Sequence, residues 1–313
     1  MKYKVIGIAG TRPNFMKIAP LKRELENYRD LFDFTLVHTG QHFSANMSDF
    51  FIRELEIGEP DYHLGIPKGA PEIAQMSEIM TRLEPLLNQL KPHLVVVVGD
   101  VNSTLAATLV AVRLKIPVAH IEAGLRSFRF SMPEEQNRVI TDRLSALLFT
   151  HSPEAKQNLI KEGIDQSRIF EVGNIMIDSL IYNRSKWQHS AILQKLGLEK
   201  KNYGAVTIHR QENVDDQANL VKLLGILEMV QGCIPLVYPI HPRTVNRLRE
   251  FGLEERIDKL PKLILTEPLG YLDFMKLVEN SVVVLTDSGG IQEETTFMGI
   301  PCLTLREETE RPV

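Results

Sequence analysis

The chain is poor in the residues that build metal sites and disulfide frameworks. Its 313 residues include only two cysteines, Cys233 and Cys302, which lie in apolar surroundings and lack metal-ligand spacing. There is also no His-Glu-x-x-His sequence and no cluster of cysteine and histidine. We therefore expect two buried, reduced thiols and no metal site.

Long hydrophobic runs and an excess of basic charge are absent as well. The net charge is −4, and no apolar segment approaches the length needed to cross a bilayer. The N-terminus opens directly into a strand-like run, Lys4–Ile8, whose apolar part is too short for a signal peptide. We therefore expect a cytoplasmic protein that binds neither nucleic acid nor membrane.

The glycine fingerprint of dinucleotide-binding proteins is missing too. The first glycine-containing loop reads Gly7-x-x-Gly10-Thr11-Arg12, which is not G-x-G-x-x-G, and no convincing ribose-binding acid follows it. This excludes a nicotinamide cofactor, and we expect no cofactor.

What the chain does contain is a regular alternation of short apolar runs with helical stretches. The predicted strands are Val5–Ala9, Phe34–His38, Leu94–Val98, Val118–Ile121, Leu147–Thr150, Ile169–Val172, Ala205–Ile208, Leu236–Ile240, Leu263–Thr266 and Val282–Thr286. Such alternation predicts parallel sheets with right-handed crossovers. The pattern weakens after Asn174, so we predict two Rossmann-like doubly wound α/β domains, 1–173 and 174–313, with the ligand in the cleft between them.

Polar residues follow six of these predicted strands. They form the sets 10–14, 39–42, 99–100, 122–126, 209–213 and 241–242. In an open parallel sheet these positions line the binding crevice. One such set means little, but six at the same edge indicate a site.

The segment Asp287–Glu294 is the most informative of these strand ends. It follows the apolar run 282–285 and places Ser288, Gly289 and Gly290 where a helix is predicted to begin. The unpaired amides and the dipole of a helix start attract a phosphate group. Glu294 lies on the first turns, where a carboxylate can accept hydrogen bonds from sugar hydroxyls. Together these features suggest a nucleotide-sugar pocket.

Three carboxylates, Asp100, Glu122 and Glu134, are the acid–base candidates. Asp100 and Glu122 leave neighbouring predicted strands and can approach each other. Each also has a structural alternative. Asp100 can cap the next helix, Glu122 can pair with Arg126 or Arg129, and Glu134 follows Pro133 at a helix start that favours a carboxylate.

Several further residues have equally open readings. His209 and His241 end strands of the second domain. Each is either a functional residue of the site or merely a polar loop residue. Phe274 can stack on a base or belong to the core. Arg311 lies in a charged run of the kind that is usually solvated surface, although it follows an apolar strand, 302–305.

The ordered motifs resemble the non-hydrolysing UDP-N-acetylglucosamine 2-epimerases along essentially the whole chain. The matching segments are Gly10-Thr11-Arg12-Pro13, His38-Thr39-Gly40-Gln41-His42, Gly99-Asp100, His120-Ile121-Glu122-Ala123-Gly124-Leu125-Arg126, Met132-Pro133-Glu134-Glu135-x-Asn137-Arg138, Gly173-Asn174, His209-Arg210-x-Glu212-Asn213, Ser288-Gly289-Gly290-x-Gln292-Glu293-Glu294 and Glu310-Arg311-Pro312. Each is weak alone, but so many in one order indicate the family.

The resemblance implies a glycosyltransferase-B-like fold, with UDP held mainly by the second domain. It also implies interconversion of UDP-N-acetylglucosamine and UDP-N-acetylmannosamine through a 2-acetamidoglucal intermediate. Asp100, Glu122 and Glu134 match the family's acidic trio, and His209 matches its catalytic histidine. The matches to its UDP-sugar contacts are Arg12, Lys17, Phe274, Ser288, Gly289, Gly290, Glu294 and Arg311. A second, allosteric UDP-sugar site is matched in part by Gln41, His42, Arg210 and His241.

The chain departs from the family pattern in places. Asn14 stands where many members have glutamate, and the loop 127–131 is shorter than in some members. Members normally continue beyond the position of Val313, so we expect a second domain truncated at its C-terminal end. Alternatives to the leading function are a 2-epimerase of a modified UDP-diacetamido sugar, a transferase of the same fold, and an inactive UDP-sugar binder. We also expect a homodimer and a role in cell-surface polysaccharide biosynthesis.

Overall fold

The structure is a computed structural model that describes residues 2–40, 55–66 and 70–306. The chain divides into two compact units, Met1–Ser179 and Leu180–Val313. The division falls inside the helix Ile175–Gln188. The limits predicted from sequence, 1–173 and 174–313, fall just before that helix.

Unit 1 is built on a parallel sheet that has seven strands within the described residues, in the order β3-β2-β1-β4-β5-β6-β7. The strands are β1 Tyr3–Ala9, β2 Phe32–His38, β3 Tyr62–His63, β4 Leu94–Val98, β5 Val118–Ile121, β6 Leu147–Thr150 and β7 Ile169–Glu171. The described helices are α1 Arg12–Asn27, α2 Glu72–Leu90, α3 Asn102–Arg113, α4 Pro133–Leu144, α5 Pro153–Lys161 and α6 Ile175–Gln188, of which α6 continues into unit 2.

Hydrophobic patterning explains how the helices of unit 1 cover this sheet. The central strand β4 reads Leu-Val-Val-Val-Val and is buried in its last four residues, as expected for a strand covered on both faces. Helix α2 buries Gln75, Ile79, Leu83 and Leu87, which recur every fourth residue and form one face. The three apolar side chains of this face, Ile79, Leu83 and Leu87, pack with β1, β4 and α3 in one hydrophobic core.

Unit 2 repeats the same plan with five strands among its described residues, in the order β10-β9-β8-β11-β12. The strands are β8 Gly204–Thr207, β9 Leu236–Pro239, β10 Leu263–Thr266, β11 Val283–Thr286 and β12 Cys302–Thr304. The helices are α7 Ile192–Lys195, α8 Gln211–Val214, α9 Gln217–Cys233, α10 Pro242–Glu250, α11 Glu254–Asp258, α12 Tyr271–Asn280 and α13 Gly289–Met298.

The prediction that both cysteine thiols are buried is wrong for Cys233, which is exposed, while Cys302 is half-buried. Helix α9 buries a stripe that includes Leu220, Leu224 and Leu227. Cys233 is the last residue of that helix. At about 100° per residue it lies well off the stripe and faces away from the core.

The predicted fold class, two doubly wound α/β domains, is confirmed. In each unit the first strand lies between the second and the fourth, so the order of the strands reverses beside it. Ligands of such sheets bind at the carboxyl ends of the strands at this reversal. The reversal selects the ends of β1 and β4 in unit 1, and the ends of β8 and β11 in unit 2.

Candidate active site

Glu122 is the first residue after β5, and its backbone is in an unusual conformation. Its φ of +72° lies in the left-handed region, which is uncommon for residues other than glycine and costs free energy. Its side chain forms an ion pair with Lys17 of α1, and the two side chains are only 4% and 7% exposed. A Cβ atom at Gly99 would lie 3.0 Å from the Lys17 Nζ. Glycine at that position therefore leaves room for the buried ion pair.

Arg126, one of the two partners that the sequence suggested for Glu122, is used elsewhere. Its Nη1 lies 2.7 Å from the Asp142 carboxylate, and its Nε and Nη2 each lie 2.7 Å from an oxygen of Glu162. That alternative is wrong because Arg126 faces helices α4 and α5, whereas Lys17 projects from α1 towards the end of β4. Lys17 itself was expected to contact the UDP-sugar, and that role stays a prediction.

Asp100 follows Gly99 at the end of β4 and remains partly open to solvent. Its side chain is 30% exposed, and its carboxylate pairs with Arg138 of α4. Its carbonyl oxygen accepts a hydrogen bond from the Asn137 Nδ2 at 2.9 Å. The alternative that Asp100 caps α3 is wrong, because that helix begins after Val101 and the guanidinium of Arg138 holds the carboxylate.

Arg138 is shared between Asp100 and a second carboxylate that the sequence analysis did not single out. Its Nη2 lies 2.7 Å from the Glu135 Oε2, and Glu135 also accepts the backbone N–H of Ser127 at 2.8 Å. Burial acts to raise the pKa of Glu135, but the hydrogen bonds from Ser127 and Arg138 outweigh it and the pKa is lowered. The neighbouring Glu134 is exposed in the first turn of α4, as its structural alternative expects. Its role as a third acid stays a prediction.

A buried hydrogen-bonded chain lies behind Asp100 and Glu122. His120, on β5, is 2.8 Å from the Gly99 carbonyl oxygen through Nε2 and 2.6 Å from Asp142 through Nδ1. Neither His120 nor Asp142 has any exposed surface. Sequence reasoning missed this pair. The sequence did contain a signal for it, because His120 is a polar residue inside an apolar strand. That strand ends at Glu122, a candidate acid, two residues later.

The loop after β1 is tied to the end of β4 by Asn14. Its Oδ1 accepts the N–H groups of Gly10 and Thr11 at 3.0 Å each, and its Nδ2 donates to the Val98 carbonyl at 3.1 Å. An amide is needed for this pattern because a carboxylate cannot donate to a carbonyl. The departure at Asn14 therefore stabilises the turn beside Asp100.

In unit 2, Asp287 organises the ends of β8 and β11. It is fully buried and accepts the backbone N–H groups of His209 at 3.0 Å and Arg210 at 2.9 Å, and the Asn213 Nδ2 at 3.0 Å. The His209 Nδ1 lies 3.3 Å from the same carboxylate, while its side chain is half exposed. The carboxylate favours a proton on Nδ1, so Nε2 is the basic nitrogen.

The predicted phosphate site lies at the start of α13. The helix begins at Gly289 after Ser288, and no side chain in the described part of the chain forms a cap hydrogen bond at Ser288. The amides of its first turn therefore have no partner within the helix, and the helix dipole adds positive potential there. This geometry suits a phosphate group.

Glu294 lies on the next turn of α13 and is buried, and its predicted role as a sugar contact stays a prediction. It is only 2% exposed, and its Oε1 accepts a hydrogen bond from the Tyr271 hydroxyl at 3.2 Å. Burial raises its pKa to about 8, the charge of Glu293 adds to the rise, and the Tyr271 hydrogen bond acts against it. At neutral pH the side chain therefore holds a proton.

Among the other predicted ligand contacts of unit 2, the His241 side chain has a local structural function. His241 caps α10, where its Nδ1 accepts the N–H of Arg243 at 3.1 Å, and Arg210 precedes α8. Phe274 is half-buried on α12. Their roles as ligand contacts stay predictions. Gln41, His42 and Arg311 lie outside the described residues, and for Arg12 only its position at the start of α1 is described.

The predicted site residues thus form two groups. Asp100, Glu122 and Lys17 come together at adjacent strand ends of unit 1, and His209 and the start of α13 come together in unit 2. In the described residues, no group of three or more histidine, cysteine or acidic side chains could hold a metal ion. No helix of that part of the chain is long and apolar enough to span a bilayer.

Comparison with known proteins gives one consistent family. A family model described as UDP-N-acetylglucosamine 2-epimerase matches residues 23–313. The UDP-N-acetylglucosamine 2-epimerase of Methanocaldococcus jannaschii is 42% identical over 97% of this chain and 84% of its own length. The UDP-2,3-diacetamido-2,3-dideoxy-D-glucuronate 2-epimerase of Pseudomonas aeruginosa is 39% identical over 98% of this chain and 84% of its own length.

A solved structure agrees with these relatives. The chain matches the crystal structure of the M. jannaschii UDP-GlcNAc 2-epimerase in complex with UDP-GlcNAc and UDP, with a TM-score of 0.90 and 41% identity. The match covers 99% of this chain and 85% of that one.

Proposed function

The chain belongs to the UDP-N-acetylglucosamine 2-epimerase family, and we propose that it interconverts UDP-N-acetylglucosamine and UDP-N-acetylmannosamine. The observation that carries the proposal is the placement of Asp100 and Glu122 at the ends of two adjacent parallel strands, each paired with one cation. Paired carboxylates in different environments are suited to exchanging protons with a substrate.

Inversion at C2 of the sugar requires removal of a proton that is not acidic. Departure of UDP from C1 solves this problem, because it develops positive charge next to C2. A carboxylate takes the C2 proton, the C–H electrons form the C1–C2 double bond, and UDP leaves with the electrons of the C1–O bond. This anti elimination gives 2-acetamidoglucal. UDP then adds back to C1 while a proton is delivered to the opposite face of C2.

The two proton transfers occur on opposite faces of C2 and therefore need more than one acidic group. We assign them to Asp100, Glu122 and Glu134. Asp100 is partly exposed beside Arg138, whereas Glu122 is buried against Lys17. These different surroundings support different roles for the two carboxylates in the two proton transfers.

Stabilisation of the departing UDP anion is assigned to unit 2. The amides of Gly289 and Gly290, at the start of α13, would hold phosphate oxygens. Arg12 is assigned to the UDP-sugar as well. His209, whose Nδ1 lies 3.3 Å from the Asp287 carboxylate, would also stabilise the departing anion. Glu294 and Phe274 would contact the ribose and the base, and the ligand's position between the two domains stays a prediction.

An NMR time course with UDP-N-acetylglucosamine in heavy water tests this function. We expect deuterium to enter C2 and the manno epimer to accumulate. Asp100→Asn should abolish exchange, whereas Asp33→Asn, which alters an exposed carboxylate near the amino end of β2, should not. UDP binding without exchange would instead indicate a binder or a transferase, and release of free N-acetylmannosamine would indicate a hydrolysing enzyme.

A second substrate deserves the same test, because a relative named for UDP-2,3-diacetamido-2,3-dideoxy-D-glucuronate is 39% identical over nearly the whole chain. That sugar adds a carboxylate at C6 and a second acetamido group. Competition of the two nucleotide sugars for C2 exchange would rank them. A higher kcat/KM for the diacetamido sugar would replace our assignment of the substrate and leave the chemistry unchanged.

For the cellular context, we propose a cytoplasmic homodimer that supplies a sugar donor for cell-surface polysaccharide synthesis. The support is chemical, since nucleotide sugars are the activated donors from which such polymers are built. Light scattering of the purified protein and fractionation of cells test the oligomer and the location. A monomer, or enrichment in another compartment, would contradict them.

A further inference from the structure

His120 is fully buried in β5 and has a hydrogen-bond acceptor at each ring nitrogen. Nε2 lies 2.8 Å from the carbonyl oxygen of Gly99, and Nδ1 lies 2.6 Å from the Asp142 Oδ1. A carbonyl oxygen has no proton to donate, so Nε2 carries the hydrogen of the first bond.

The surroundings of Asp142 place a second hydrogen on Nδ1. Its Oδ2 accepts the N–H of Gly124 at 3.1 Å and the Arg126 Nη1 at 2.7 Å. Burial acts to raise the pKa of Asp142, but the charges and hydrogen bonds of His120 and Arg126 outweigh it and the pKa is lowered. An ionised carboxylate only accepts hydrogen bonds, so Nδ1 of His120 is the donor.

The same pair of residues holds both turns that carry the predicted acids. His120 binds the carbonyl of Gly99, the residue before Asp100. Asp142 binds the amide of Gly124, two residues after Glu122. The φ angles of Gly99 and Gly124 are +65° and +82°, so both turns leave the ordinary strand conformation and need fixed partners.

We propose that His120 is a doubly protonated positioning residue, and that its ion pair with Asp142 fixes the turns bearing Asp100 and Glu122 for proton transfer at C2 of the sugar. The positioning role rests on the proposed 2-epimerase function. The charge of His120 does not, and it can be measured without substrate.

Nitrogen-15 NMR of the histidine rings tests that charge in the wild-type protein. The His120 signals are identified by their loss in His120→Gln. We expect both ring nitrogens of His120 to show the shifts of protonated nitrogens at neutral pH. His93 is a matched contrast, because its Nδ1 accepts the N–H of Lys4 and must be unprotonated. A neutral tautomer at His120 overturns the proposal whatever the activity.

Asp142→Asn tests the positioning role. We expect kcat for C2 exchange to fall by about 10- to 100-fold, the scale of a misplacement of about 1 Å in the catalytic groups. The dissociation constant of UDP should change little, whereas the thermal transition should fall, because removing one partner of a buried ion pair is destabilising. His93→Gln is the control, because His93 is exposed and lies just before β4, at the end of that strand opposite to Asp100, so kcat should not change.

The double variant His120→Gln with Asp142→Asn separates positioning from general damage. The new glutamine amide can donate to the Gly99 carbonyl and accept from the new asparagine amide, which gives a neutral copy of the chain. We expect it to recover part of the kcat lost in each single variant. No recovery, or a loss confined to UDP affinity or thermal stability, overturns the positioning role. Absence of C2 exchange in the wild type overturns the proposed function and this role together, while the ring nitrogens still report the charge of His120.

Discussion

Replacing Lys17 with methionine would remove the cation of a buried ion pair while keeping a side chain of similar length. The Lys17 and Glu122 side chains are only 7% and 4% exposed, so Glu122 would lose this cation without gaining contact with water. Removing one partner of a buried pair costs about 3–5 kcal/mol. We expect a loss of this size in the free energy of unfolding of unit 1.

Hydrogen exchange at strands β4 and β5 measures this loss directly. The Gly99 amide donates to the Ile121 carbonyl at 3.2 Å and reports on opening beside the ion pair. Since about 1.4 kcal/mol corresponds to a factor of ten, exchange there should be about 100-fold faster or more. Trp187, the single tryptophan, is buried in unit 2 and donates to Glu279 at 3.0 Å. Its fluorescence transition is the control and should not change.

The double variant Lys17→Met with Glu122→Gln distinguishes loss of a charge partner from loss of packing. It removes both charges, so its cost should be clearly smaller than that of Lys17→Met alone. Solvent-exposed ion pairs contribute about 1 kcal/mol or less. If Lys17→Met lowers the free energy of unfolding by less than this, the prediction for a buried ion pair is wrong. Equal costs for the single and double variants would refute it too, because packing would then account for the whole effect.

Three further predictions concern other site residues. Asp100→Asn should abolish C2 exchange, measured by NMR in heavy water, and leave UDP binding by calorimetry nearly intact. The folded-state pKa of Glu294 is raised from 4.5 to about 8, so the folded state binds a proton that the unfolded state releases. Unit 2 should therefore lose stability as pH rises through this interval, and Glu294→Gln should remove that slope in urea unfolding followed by Trp187 fluorescence. Asp287→Asn should destabilise unit 2 by about 1–3 kcal/mol, because the new amide group faces N–H donors, and should also lower C2 exchange by releasing His209. Unchanged unfolding of that variant would contradict the hydrogen bonds assigned to Asp287.

Much of the fold could be predicted because the strands are short runs of apolar, often β-branched residues bounded by turn residues. The run 94–98 marks a buried central strand, and the structure places β4 there. The missed strand, β3, has only two residues, Tyr62–His63, which is too short to show a period. It pairs with β2 through Val37 and His38, a tertiary contact that no local pattern reveals.

Candidate site residues could be found by their position, but their partners could not. Parallel topology brings strand ends to one edge, and this is why Asp100 and Glu122 stood out. Which cation meets which carboxylate depends on how each helix lies over the sheet. Lys17 contacts Glu122 from 105 positions away, and Asp142 contacts His120 from the last turn of α4. Spacing along the chain contains no information on such contacts.

The two units share one topology but have different polar groups at the strand reversal. This difference favours a different role in ligand binding for each unit. A pyrophosphate next to Asp100 and Glu122 would meet two carboxylates whose neighbouring cations, Arg138 and Lys17, already form ion pairs. The start of α13 offers backbone donors without a carboxylate of its own in the first turn. We therefore expect the anionic end of a nucleotide sugar to bind to unit 2. Under the proposed function, the carboxylates of unit 1 are the groups assigned to C2, the carbon adjacent to the one that UDP leaves.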